Sequence, residues 1–141
     1  MIRAVLDTNV FVSAFFWRGP PRSILDAARQ GRFRIITSEM LIDELRDVIS
    51  RAKFADRLAQ VGLTVDSLLD DFRALVEIVE PAQISAVIVD DPDDDALIAC
   101  ALGGAGDYIV SGDHHLLDLE EYAGIKMWTV TRFLEDAIGS Q

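Results

Sequence analysis

Residues 2–9 of this chain read IRAVLDTN, a short apolar run that ends at a carboxylate and is followed by two helix-capping residues. The run at residues 2–6 predicts a short buried strand. Thr8 or Asn9 is expected to cap a helix that continues to about Phe16. The stretch therefore predicts a strand, an acid at its end in Asp7, and a helix directly after it.

Strands and helices alternate through the rest of the sequence. Further strands are predicted at residues 33–37, 107–111 and 126–129, with short extended stretches at 77–80 and 85–89. Helices are predicted at residues 22–30, 38–50, 53–61, 65–75, 94–102 and 132–138. Gly19 and the two prolines after it predict a loop over residues 17–21. The alternation predicts an α/β fold, with a central parallel sheet and helices on both faces, formed by residues 1–141 as one domain.

The charged residues are unevenly distributed. The net charge of −11 argues against general binding of polyanions. Residues 1–60 hold 10 of the 13 Lys and Arg residues, whereas residues 61–141 hold 17 of the 24 Asp and Glu residues. This asymmetry fits a protein with one side that faces a polyanion and another that collects cations. It fits equally well a second half whose acids only keep the surface soluble.

Cys100 is the only cysteine, which excludes an internal disulfide and a thiolate metal site. Its neighbours are apolar, which favours a core thiol over a nucleophile. The apolar run after Arg3 is too short for a signal peptide, and no segment approaches ~20 uninterrupted apolar residues. We therefore expect a cytoplasmic protein without a membrane span.

Acidic residues follow two of the predicted strands. Asp7 lies at the end of the strand at 2–6, and Asp113 lies just past the strand at 107–111. Because the carboxyl ends of parallel strands meet at one edge of a sheet, both acids are expected at the edge where α/β folds form their sites.

Two predicted helices supply further candidates. Asp95 lies in the first turn of the helix at 94–102, where backbone N–H groups stabilise a carboxylate. The alternative is that the acids of this turn only cap the helix. Glu44 lies beside an apolar stripe that includes Leu41 and Val48, so it is expected to face inward. The alternative for Glu44 is a boundary residue that reaches water.

Several carboxylates in one crevice cannot all stay ionised without a cation. Oxygen-rich sites without thiolates suit Mg²⁺ or Mn²⁺. Such ions polarise a phosphoryl group and lower the pKa of an attacking water. The acids therefore predict a divalent-ion site, and their spacing leaves the number of ions open.

Four pieces of the sequence, in order, resemble the motifs of the PIN-domain nucleases. They read VLDTNV (5–10), SEMLIDEL (38–45), DALIACAL (95–102) and YIVSGD (108–113). The resemblance covers nearly the whole chain. It implies a three-layer PIN-like fold and an endoribonuclease that depends on Mg²⁺ or Mn²⁺.

The resemblance also assigns roles to residues. The acids that match the family's catalytic and metal-binding positions are Asp7, Glu44, Asp95 and Asp113. Asn9 and Ser111 match polar residues that support them. Asp95 is chosen by its register with residues 96–102, and Asp91 and Asp94 are alternatives for its role.

Short bacterial members of this family are commonly toxins of toxin–antitoxin pairs, and this chain looks similar to them. The resemblance therefore implies an RNA substrate, an antitoxin protein as partner, and a homodimer.

Three other features carry weaker predictions. Arg18 and Arg22 flank the Gly-Pro-Pro segment at residues 19–21 and are candidates for contacts with RNA phosphates, although solvated arginines explain them equally well. His114 and His115 are of a type that ligates transition metals, but a solvent-facing turn is the favoured interpretation. The aromatic residues at 15–17 are a candidate partner surface, with core burial favoured.

Two other functions remain open at this point. One is a metal-dependent phosphatase on a related α/β scaffold, although no Asp-x-Asp motif follows the first strand. The other is a non-catalytic PIN-like binding module, whose acids are only solvated or structural.

Overall fold

The computed structural model describes residues 1–84 and 92–139, with Pro92 and Asp93 described by their backbone alone. The strands are β1 (Arg3–Leu6), β2 (Arg34–Thr37), β3 (Glu77–Ile78), β4 (Tyr108–Val110), β5 (Glu121–Tyr122) and β6 (Ile125–Trp128). The helices are α1 (Thr8–Phe16), α2 (Pro20–Arg29), α3 (Glu39–Ile49), α4 (Ala52–Gln60), α5 (Val65–Leu75), α6 (Pro92–Gly103), α7 (His114–Leu119) and α8 (Val130–Arg132), which continues as a π-helical segment (Phe133–Ile138).

The six strands form one sheet in the order β3-β2-β1-β4-β6-β5. β1 lies in the middle and pairs in parallel with both neighbours, so that Val5 is opposite Ile36 on β2 and Ile109 on β4. From β1 the chain first builds one side of the sheet and later returns to build the other. The strand order therefore reverses between β1 and β4, and α/β sheets form their crevice at such a point.

The pleat of the central strands divides the core into two apolar layers. On one face, Val5, Ile36 and Ile109 pack with Ile98 and Cys100 of α6. The opposite face packs mainly against the first three helices, α5 and the π-helical segment, through strand residues Ala4, Leu6, Ile35, Val110 and Trp128. The predicted α/β fold, with helices on both faces of a largely parallel sheet, is confirmed. The short β5, which is antiparallel to β6, was not predicted.

Local sequence explains most element boundaries. The Ser38 side chain accepts a hydrogen bond from the Leu41 backbone N–H and begins α3, as predicted.

Cys100 is fully buried, and burial raises the pKa of its thiol to about 12, which confirms a core thiol. The predicted extended stretch at 85–89 lies outside the described residues.

The prediction of a loop over residues 17–21 was wrong at its end, because α2 begins at Pro20. Proline is well suited to the first turn of a helix, where its missing N–H would have no partner and its fixed φ is already helical. Gly19, with a φ of 122°, makes the turn that precedes the helix. Paired prolines therefore mark a helix start here.

Within residues 1–84 and 92–139, no helix combines the length and apolar character needed to cross a bilayer.

Gly103, the last residue of α6, allows the backbone after β3 to pass close to the helix. A Cβ built on Gly103 would overlap the carbonyl oxygen of Glu80 and lie 2.7 Å from the backbone nitrogen of Ala82. We expect Gly103→Ala to lower the free energy of unfolding by about 2 kcal/mol, because the clash involves backbone that must move. Urea denaturation would measure this.

The matched control for this variant is Gly112→Ala, where a Cβ meets nothing within 4 Å. Its free energy of unfolding should change by less than about 1 kcal/mol. Equal losses in the two variants would contradict the steric explanation for Gly103.

Candidate metal-binding active site

The ends of β1 and β4 bring two predicted acids to one edge of the sheet. The backbone N–H of Asp7 donates to the carbonyl oxygen of Val110 at 3.0 Å, which fixes Asp7 against the end of β4. The hydroxyl of Ser111 donates to Oδ2 of Asp7 at 2.7 Å. Asp7 is therefore held against the end of β4 through both its backbone and its side chain.

Ser111 also holds Asp113. Its Oγ accepts the backbone N–H of Asp113 at 3.0 Å, and Ser111 itself is almost fully buried. Asp113 in turn begins α7, because its Oδ1 accepts the His115 backbone N–H at 2.9 Å. One buried hydroxyl thus connects both acids.

The third carboxylate at this edge is that of Asp94, from the first turn of α6. Asp94 is only 4 % exposed and forms a side-chain hydrogen bond with Asp113. Single ligand atoms of Asp94, Asp113 and His115 all lie within 4.8 Å of one another, close enough to share a metal ion. A hydrogen bond between two carboxyl groups requires that one of them keep a proton, unless a cation takes its place.

Asp95 points in a different direction. Its side chain is half-buried and lines a cavity of about 360 Å³ together with Ser38 and Met40. Successive residues of a helix are about 100° apart, so neighbouring acids cannot face the same site. Asp94 precedes the fully buried Ile98 and Ala101 by four and seven residues, which places it on the face of α6 that packs on the sheet. This helical spacing was the signal in the sequence that favours Asp94.

Glu44 and Asn9 are less directly connected to the acids at this edge of the sheet. Glu44 is half-buried on α3 beside Leu41 and Leu45, as its place on the helix predicts. Among the residues that the structure describes, the group of ligand atoms formed by Asp94, Asp113 and His115 includes none of Asp7, Glu44 and Asp95. The side chain of Asn9 is exposed, and its backbone N–H donates to the Asp7 carboxylate.

The two strand-end acids differ electrostatically. Burial raises the pKa of Asp7, and the nearby charge of Asp113 adds to this, against hydrogen bonds from Ser111 and from backbone N–H groups. Burial also acts to raise the pKa of Asp113. The His115 backbone N–H, the Asp94 side chain and the charges of the two histidines outweigh it, so that the pKa of Asp113 is lowered.

The predicted RNA-contacting arginines differ in their surroundings. Arg22 donates to the carbonyl oxygens of Ala14 and Phe15, each at 3.2 Å, and so provides hydrogen bonds at the carboxyl end of α1. Arg18 is exposed on the turn before α2. In the aromatic stretch, Phe16 is buried, whereas Trp17 is 48 % exposed.

The predicted turn at the two histidines is instead the first turn of α7. His114 and His115 are its first two residues, and both are exposed. The sequence prediction missed this helix because α7 has only six residues and its start depends on the Asp113 side chain. The exposure of the pair to solvent was predicted correctly.

Comparisons with known proteins agree with the observed fold. A family model of the PIN domain matches residues 3–115. The fold is similar to that of a chain in the crystal structure of VapBC2 from Rickettsia felis bound to a DNA fragment from their promoter. The TM-score is 0.60 at 16% sequence identity, over 91% of this chain and 98% of that chain. No curated protein sequence matches this chain.

The opposite pKa shifts of the two strand-end acids predict opposite effects on stability. Because the pKa of Asp7 is raised on folding, its ionised form destabilises the protein at pH 7, and that cost disappears as the pH falls through the folded pKa. Asp7→Asn should therefore raise the melting temperature of metal-free protein at pH 7, with a smaller difference near pH 4. Thermal unfolding in EDTA at both pH values measures this.

Asp113→Asn is the matched variant, and we expect it to change the melting temperature in the opposite direction. The lowered pKa of Asp113 means that its carboxylate stabilises the folded protein above its ordinary pKa. This variant should have a lower melting temperature at pH 7. A decrease for Asp7→Asn, or equal shifts for both variants, would refute this electrostatic account.

Proposed function

Because this chain belongs to the PIN domain family, we propose that it is an endoribonuclease that depends on a divalent metal ion. The observation that carries the proposal is that Asp94 and Asp113 offer ligand atoms close enough to share an ion. Asp7 is joined to Asp113 through the Ser111 hydroxyl, at the edge formed by the ends of β1 and β4. This edge is where the strand order reverses, and sites of α/β proteins form at such positions.

The residues fit a hard divalent ion. The donors that converge are carboxylate oxygens, which Mg²⁺ and Mn²⁺ prefer, together with one imidazole nitrogen. The contact between the Asp94 and Asp113 carboxyl groups requires a shared proton or a cation. We assign Asp7, Asp94 and Asp113 as the residues that hold the ion, with Glu44 and Asp95 as further candidates from their match to the family's motifs.

When bound, the ion would supply electrostatic stabilisation of the phosphoryl group and a water of lowered pKa. The chain's own residues orient this chemistry. Ser111 fixes the Asp7 carboxylate through a hydrogen bond of 2.7 Å and receives the Asp113 backbone N–H. The main-chain N–H groups of Thr8 and Asn9 donate to Asp7 and complete its orientation. Preorganised groups of this kind need little rearrangement during the reaction.

The proposed substrate is RNA, held near the acids by basic residues of the first half of the chain. Arg18 and Arg22 are both exposed, and Arg18 is the one assigned to a phosphate. We assign Arg22 primarily to the carboxyl end of α1, because its guanidinium already contacts two carbonyl oxygens there.

We also propose a biological role for this activity. The similar VapBC2 chain comes from a complex bound to promoter DNA. By extension, this chain is a cytoplasmic toxin of a toxin–antitoxin pair, which forms a homodimer and is held inactive by an antitoxin protein. Co-expression with the product of an adjacent small reading frame tests this setting separately from catalysis.

The decisive test of activity is cleavage of a single-stranded RNA by purified protein with Mg²⁺ or Mn²⁺. Wild type should cleave the RNA, and EDTA should stop cleavage. Asp7→Asn and Asp94→Asn should each lose at least about 100-fold in rate, since even indirect support of a bound ion is worth about 10–100-fold. Asp118→Asn, an exposed acid on α7, is the control for loss of charge.

Asp95→Asn distinguishes the two neighbouring acids. A smaller loss than for Asp94→Asn is expected, because Asp94 faces the site. Full activity of Asp7→Asn would refute the assigned site. Turnover of a small phosphomonoester without RNA cleavage would favour a phosphatase. No turnover of either, and no change of melting temperature with Mn²⁺, would favour a binding module.

A further inference from the structure

His115 lies where an additional metal ligand would lie. Its Nδ1 is 3.3 Å from Oδ1 of Asp113. One ligand atom from each of His115, Asp113 and Asp94 lies within 4.8 Å of the other two. Two neighbouring ligand atoms on an octahedral ion, each about 2.1 Å from it, are about 3 Å apart. The imidazole and the carboxylate thus have the spacing of adjacent ligands.

The backbone fixes this pair in place. The N–H of His115 donates to the same Asp113 carboxylate at 2.9 Å, so the two residues are joined through main chain as well as side chain. On the other side, the buried Asp94 contacts Asp113. The His115 side chain is 44 % exposed, which leaves it accessible to an ion from solvent.

We propose that His115 is a ligand of the metal ion, and that its imidazole makes the site prefer a first-row transition metal such as Mn²⁺ over Mg²⁺. The proposal rests on the function proposed above, in which the neighbouring carboxylates bind a divalent ion. Mg²⁺ strongly prefers oxygen ligands, whereas transition metals accept imidazole nitrogen. A mixed set of carboxylates and one imidazole therefore selects against Mg²⁺.

The most direct test is pulsed electron paramagnetic resonance of Mn²⁺ bound to untagged protein. The sequence contains two histidines, so the source of an imidazole signal can be assigned by two variants. Wild type and His114→Gln should show the ¹⁴N modulation of a directly coordinated imidazole. His115→Gln should lose it while still binding Mn²⁺ through the carboxylates.

A second measurement is the affinity for each metal, from calorimetric titration with Mn²⁺ and with Mg²⁺. His115→Gln should weaken Mn²⁺ binding by about tenfold or more and Mg²⁺ binding by less than about threefold. His114→Gln controls for changes in the helix start, because the His114 ring contacts that of His115 with 4.3 Å between the ring centroids.

The outcomes separate the two proposals. If wild type binds Mn²⁺ without a ¹⁴N signal, or if His115→Gln retains that signal, the role of His115 is overturned and the carboxylate site stands. Equal losses of Mn²⁺ and Mg²⁺ affinity would also overturn it. If wild type binds Mg²⁺ but no Mn²⁺, the role of His115 alone is overturned. If it binds neither ion, both the role of His115 and the proposed metal dependence are overturned.

Discussion

The candidate site depends on one buried hydroxyl group. Ser111 Oγ donates to Asp7 at 2.7 Å and accepts the Asp113 N–H at 3.0 Å, so a single side chain links the acids that follow β1 and β4. Those strands are neighbours in the middle of the sheet, at the place where the strand order reverses. The position of the site is therefore a consequence of topology, and Ser111 converts that position into a defined geometry.

This geometry has an electrostatic cost. Burial raises the pKa of Asp7, and Asp113 lies close enough to raise it further. Asp94 adds a third carboxyl group that is almost completely buried. Like charges in a desolvated site destabilise the folded state unless protons or a cation compensate them. The fold thus holds an acidic cluster that requires a proton or a cation to compensate its charge.

The sequence was sufficient for the parallel part of the sheet and for the two strand-end acids, because both follow from where apolar runs end. It was not sufficient for the choice between Asp94 and Asp95. Motif register favoured Asp95, whereas the helix face shared with Ile98 favours Asp94, and only the packing of α6 on the sheet decides which acid points inward. The short α7 was missed because its start depends on a side-chain contact of Asp113 rather than on an apolar pattern.

Several arginines in the basic first half of the chain make structural contacts, which the composition alone could not reveal. Arg22 donates to the carbonyls of Ala14 and Phe15, and Arg57 donates to the carbonyl of Phe16, so both stabilise the carboxyl end of α1. Arg46 forms a salt bridge at 2.7 Å with Asp66 of the acidic half. Only part of the basic first half is therefore available to a polyanion.

The central claim is that a divalent ion binds between the ends of β1 and β4. Anomalous diffraction from crystals soaked in Mn²⁺ tests it most directly. The account predicts a manganese peak in contact with the carboxylates of Asp94 and Asp113, on the side where Ser111 holds Asp7. The absence of a peak there, or a peak only beside Asp95 in the cavity that Ser38 and Met40 line, would contradict it.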